Sequence, residues 1–290
     1  MRITRAIAVA VLLLGGIPGL AEGRVECAAL KSTVLARNVR YCAALPAGYD
    51  GKQAKRFPVV YYLHGLGESE QTLVGALGAM LGDLQRNGKI REFLVITPDA
   101  GTTFYINSHD GRVRYEDFLV REFIPAMERR FRVAGTRATR GIAGTSMGGY
   151  GALRTAFKYP QLFAAVEAEM PALYEKFPQR LLPFFEMSRR GGAAGGPFGQ
   201  PFDEAFWERN TPFTLARENA ARLRNLKIYF DCGSEDDYGF DAGTRKLDQL
   251  LTSLGIKHEA HIYPGRHSPD FVADHFPAAL TFVSNSLGGK

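Results

Sequence analysis

Short unbroken apolar runs, not alternating ones, set the rhythm of this chain. Residues 57–63, 93–97, 141–144, 163–168, 226–230 and 259–263 each form such a run. An apolar run without period-two alternation describes a strand covered on both faces, as in a parallel sheet. Stretches with helical spacing lie between the runs. In 115–131, Phe118, Leu119, Phe123, Ala126 and Met127 make an apolar stripe, and Pro125 predicts a kink or break near Ile124. Residues 247–254 form a second helix, closed by Gly255. Strands alternating with helices predict an α/β fold with a mostly parallel twisted sheet and helices on both faces. Two earlier segments, 25–32 and 39–45, joined by a short polar bend, predict an antiparallel hairpin at the N-terminus.

The first residues follow a different logic. Arg2 and Arg5 precede an apolar run that ends at Leu14, and Gly19 and Ala21 give a small-x-small pattern before Glu22. This predicts a secretory signal peptide over 1–21, too short in its apolar part to span a membrane. The expectation is a secreted or periplasmic protein, with 22–290 as a single catalytic domain. Removing 1–21 takes two arginines and no acid from a formal net charge of +6. The remaining excess is mild and the basic residues are scattered, which argues against a nucleic-acid partner. No second apolar run reaches membrane-spanning length.

Export makes the cysteines informative. Cys27 and Cys42 fall in the two hairpin segments, where pairing is possible but not set by sequence; Cys232 is then the odd one, read as a small buried hydrophobe. No Cys-x-x-Cys or His-x-x-x-His arrangement suggests a metal site, and no cofactor is implied.

One segment breaks the rhythm. Residues 171–225 hold a glycine tract, 191–196, together with Phe177, Phe184, Phe185, Phe198, Phe202, Phe206 and Trp207. It reads as an insertion near the active site, whose aromatics either pack it down or line a pocket.

The candidate chemistry starts at Gly144-Thr145-Ser146-Met147-Gly148, set between an apolar run and the helical stretch 150–157. In that context Gly-x-Ser-x-Gly is a nucleophile elbow. A serine on so sharp a turn needs small residues two positions away on each side. Its hydroxyl and the next backbone N–H, that of Met147, then aim at one point at a helix N-terminus, where negative charge is favoured. Serine needs a base, and the base needs an orienting acid. On sheets of this kind the order is Ser, acid, His. The acid is sought in the loop after 226–230, where Asp236 is preferred and Asp237 is second. The base is His267, beyond the last strand in a Pro/Gly loop. A second oxyanion donor is expected after an early strand, and the backbone N–H of Leu66 in His64-Gly65-Leu66-Gly67 fits, with the His64 side chain as a structural hydrogen-bonder.

These segments together resemble the esterase D family of α/β-hydrolases, over roughly residues 25–287. That group includes S-formylglutathione hydrolases, feruloyl and acetyl xylan esterases, tributyrin esterases and antigen 85 mycolyltransferases. The resemblance implies an α/β-hydrolase fold, a triad on Ser146, Asp236 and His267, and a variable region at 171–225 that shapes the acyl or alcohol site. The family often has an aromatic shortly after the histidine; this chain reads His267-Ser268-Pro269-Asp270-Phe271. The expected activity is hydrolysis of small-molecule or polysaccharide-linked esters. Acyl transfer of the antigen 85 type is the alternative, and an inactive carbohydrate- or protein-binding module is the reading from outside enzymology. Oligomeric state is not legible.

Overall fold

The computed structural model describes residues 23–49, 54–183 and 196–288. The signal-like segment 1–21, Phe184, Phe185 and the glycine tract up to Gly195 lie outside them. Eight strands form one sheet: β1 (Arg24–Ser32), β2 (Arg37–Leu45), β3 (Val59–Leu63), β4 (Leu94–Pro98), β5 (Arg140–Gly144), β6 (Ala165–Glu169), β7 (Lys227–Gly233) and β8 (Glu259–Tyr263). Their spatial order is β1-β2-β4-β3-β5-β6-β7-β8. The first two strands pair antiparallel, β2 lies antiparallel to β4, and the remaining pairs are parallel.

The unbroken apolar runs now have a physical explanation. In β3, Val59, Tyr61 and Leu63 face one core, while Val60 and Tyr62 face another across the sheet. In β4, Leu94 and Ile96 go to the first core and Val95 to the second. Side chains alternate, but both sides are dry. The first core is covered by α3 (Ile124–Arg130), α4 (Met147–Lys158), α6 (Pro212–Leu223) and α7 (Phe240–Ser253). The second is covered by α1 (Ala76–Arg86) and α8 (Pro269–Ser286). Two further short helices among the described residues are α2 (Tyr115–Asp117) and α5 (Glu204–Arg209).

The stretch 115–131 is not one regular helix. A π-helical segment, Phe118–Phe123, separates α2 from α3, and Pro125 stands in the first turn of α3. The backbone stays helical across the junction, where the Ile124 N–H reaches back five residues to the Leu119 carbonyl, so the proline, which has no N–H to donate, follows a widened turn rather than a break. The hairpin places Cys27 directly opposite Cys42, and the two are joined by a disulfide. Cys232 is free and buried. Among the described residues no helix is long and apolar enough to cross a membrane.

Candidate active site

β5 ends at Gly144 and α4 begins at Met147, which leaves Thr145 and Ser146 to make the turn. Ser146 adopts φ 57° and ψ −117°, a conformation non-glycine residues rarely take. Surrounding bonds hold it there. Its N–H donates to the Glu169 carbonyl at 2.9 Å, and its carbonyl accepts from the N–H groups of Tyr150 and Ala172, each at 3.0 Å. The flanking glycines answer a steric demand. A Cβ on Gly148 would sit 1.8 Å from the Leu63 carbonyl oxygen, and one on Gly144 would sit 2.6 Å from both the Gly148 backbone and that same oxygen.

His267 and Asp236, the expected base and acid, arrive from the loops that follow β8 and β7. His267 Nε2 lies 3.1 Å from Ser146 Oγ, and its Nδ1 lies 2.7 Å from Asp236 Oδ2. The two loops are stitched together: Ser234 N–H donates to the Tyr263 carbonyl at 2.7 Å and Glu235 N–H to the Gly265 carbonyl at 2.9 Å. Gly233 permits this approach, since a Cβ there would be 2.4 Å from the Gly265 oxygen. The rings of Tyr238 and Phe240 meet the imidazole edge-on, with centroids 4.9 and 5.4 Å away.

The two neighbouring aspartates differ in direction. Asp236 is 8 % exposed; its Oδ1 accepts the N–H groups of Tyr238 and Phe240 at 2.9 and 3.2 Å. Burial alone would raise its carboxyl, but the His267 hydrogen bond and these N–H donors outweigh it and hold it below the ordinary carboxylate range. Asp237 points outward. It pairs with Arg266 and accepts the His267 backbone N–H at 3.2 Å.

The loop after β3 comes down beside the elbow, and Leu66 and Met147 both border the same cavity as Ser146. Neither of their N–H groups is taken by another group among the described residues. Gly65 N–H donates to Glu68 Oε2 at 2.9 Å, which sets the loop's course. His64 is fully buried; its Nδ1 lies 2.8 Å from the Gly65 carbonyl, and its Nε2 accepts the Ala100 N–H at 2.9 Å. Both ring nitrogens are thus occupied by backbone, and burial lowers its pKa.

The cavity measures about 600 Å³, within the span of small-molecule sites. Phe177, Phe198 and Trp207 from the region 171–225 line it while staying nearly fully buried, so these aromatics both pack and form wall. The buried Arg154 of α4 fastens this region down through Asn210 Oδ1, with Glu116 as its counter-charge at 2.5 Å, and Tyr150 OH donates to the Asn210 carbonyl at 2.7 Å.

Sequence reading missed the carboxylates beneath the elbow. Glu167 and Glu169 of β6 and Asp231 of β7 are at most 1 % exposed. Glu169 Oε2 accepts from Thr145 Oγ1 at 3.1 Å, and Tyr229 OH donates to Asp231 Oδ2 at 2.9 Å. One oxygen of each acid has no hydrogen-bond partner among the described residues. Burial raises Glu167 and Glu169 well above 4.5 and pushes Asp231 up to about 6. The folded state therefore keeps protons that the unfolded chain releases above its ordinary range, and stability falls as pH rises between the two. Glu167→Gln is expected to raise the thermal midpoint more at pH 8 than at pH 5, read by calorimetry. An equal gain at both would overturn this account. The sequence signal was one acid inside a run that is otherwise apolar and a second just past its end.

The sheet order, the elbow and the Ser–His–Asp proximity define an α/β-hydrolase. The chain matches the Putative esterase family over residues 32–282 and belongs to it. It is 29 % identical over 242 residues to Esterase Rv1288 of Mycobacterium tuberculosis, covering 77 % of this chain and 51 % of that protein. The chain thus spans about half the length of that curated relative. An acetyl esterase of Caldicellulosiruptor saccharolyticus is 28 % identical over 267 residues, 87 % of this chain and 95 % of the other. Among solved structures, a ferulic acid esterase superposes with a TM-score of 0.78 at 25 % identity, over 92 % of this chain and 99 % of the other.

Proposed function

We propose that this chain is an exported serine carboxylesterase, working through an acyl-enzyme on Ser146. The observation that carries the reading is the continuous contact from Ser146 Oγ through His267 to the Asp236 carboxylate. His267 Nε2 takes the serine proton as Oγ attacks the ester carbonyl. Asp236, kept ionised, accepts the Nδ1–H and compensates the imidazolium that forms. The Leu66 and Met147 N–H groups hold the tetrahedral oxyanion, the latter at the positive end of α4. The imidazolium returns its proton to the departing alkoxide, and water then repeats the sequence on the acyl-enzyme. The exported location rests on the signal-like pattern of residues 1–21.

The test is covalent labelling by a fluorophosphonate, with turnover of nitrophenyl esters from acetyl to decanoyl and of methyl ferulate. The expected result is a stoichiometric adduct at Ser146 and hydrolysis of at least one ester. A folded protein with neither adduct nor turnover would overturn the proposal in favour of a binding module.

A further inference from the structure

The cavity has two unlike ends, because it crosses the carboxyl-terminal edge of the sheet from one core to the other, with Ser146 between them. On the α4 side, Phe104, Tyr150, Phe177, Phe198 and Trp207 are each at most 8 % exposed and form a buried aromatic wall. On the opposite side, Leu77 and Met80 of α1 face Val272 of α8. All three are half-buried against the second core, and Leu66, 40 % exposed, makes the lip. That end is an open aliphatic groove.

Resting on the serine-esterase reading, we infer that the groove between α1 and α8 receives the alcohol part of the ester, and that this part is an alkyl chain. Three observations lead there. First, the alcohol oxygen must meet the proton on His267 Nε2. Ser268, Pro269 and Val272, which follow that histidine in the chain, form the groove wall. Second, the alcohol departs first while the acyl group stays bonded to the serine. The end with exposed Leu66 at its lip suits the part that leaves, and the buried aromatic wall the part that stays. Third, the groove presents methyl and methylene surface. Its few polar groups are Glu68, whose Oε2 takes the Gly65 N–H at 2.9 Å, Thr72, whose hydroxyl donates to the Ser69 carbonyl at 2.9 Å, and Ser268, whose Oγ accepts the Phe271 N–H at 3.3 Å. A polyol or sugar placed here would exchange water for a surface that is mostly aliphatic and offers few partners for its hydroxyls.

The test holds constant whichever acyl group the nitrophenyl series prefers and varies the alcohol from methyl to pentyl, with the glycerol monoester as the polyol comparator. Acylation and alcohol release are both contained in kcat/KM, so it reads the groove directly. The expected gain is about twofold per methylene, roughly half that of full burial, or on the order of tenfold from methyl to pentyl. The glycerol ester should do no better than the methyl ester. Met80→Gln should flatten the alcohol series while leaving the shape of the acyl series intact. A flat alkyl series, a preference for the glycerol ester, or a Met80→Gln effect on the acyl series instead would overturn the assignment, even with fluorophosphonate labelling intact. Loss of both labelling and all turnover would overturn the esterase reading and this inference with it.

Discussion

Ser146→Ala is expected to lower kcat by roughly four to six orders of magnitude, with the fold and thermal midpoint nearly unchanged. The size follows from what the substitution removes. Without Oγ there is no acyl-enzyme, and the remaining groups can only bind the ester and polarise its carbonyl. The indifference of the fold follows from the turn. Alanine and serine carry the same Cβ, so the strain at φ 57° is the same for both. Among the described residues the hydroxyl bonds only to His267 Nε2, a group on a side chain 14 % exposed that water can reach. Turnover in Ser146→Ala protein of normal melting behaviour, measured on the best nitrophenyl ester, must therefore be at background. Activity near that of the unaltered protein would place the nucleophile elsewhere.

How far such a site can be read in advance depends on whether its cause is local. The elbow was legible because its requirement is steric and lies within five residues. The Leu63 oxygen excludes any side chain at 148, and that constraint writes itself as glycine. The strands were legible because two dry faces leave no room for alternation. An irregularity near Ile124 was legible because proline's missing N–H is a local fact, although it takes the form of a π-helical segment rather than a break. Other features depend on distant partners and left no such mark. Cys27 and Cys42 could not be paired until the register set them opposite each other. The acids of β6 read as ordinary strand residues, since nothing local says that both faces at Glu167 and Glu169 are closed. Arg154 looks like a helix-surface arginine, yet it is 1 % exposed because Glu116 and Asn210 meet it from other segments. The helices α5 and α6 were hidden in an insertion whose aromatic residues lack a clear period, because they serve a cavity wall as well as a core.

Neighbouring aspartates provide the sharpest case, and they should separate cleanly in kinetics. Asp236→Asn is expected to lower kcat by about four orders of magnitude. The amide cannot simply take the place of the carboxylate. The N–H groups of Tyr238 and Phe240 both point at Oδ1, so the asparagine oxygen must occupy that position. Its NH₂ then faces His267 Nδ1, where Oδ2 stood at 2.7 Å. A donor at that point forces Nδ1 to be the acceptor and puts the ring proton on Nε2. In that tautomer Nε2 cannot take the proton from Ser146. Asp237→Asn meets no such conflict. Its exposed pairing with Arg266 is screened by solvent, and an amide oxygen can still accept the His267 backbone N–H. Its kcat should stay within a few-fold of the parent. The decisive measurement is kcat for the two variants side by side on one ester. A mild Asp236→Asn with a crippled Asp237→Asn would move the orienting acid to the outward-facing residue, and would require the His267 loop to rotate away from the arrangement described above.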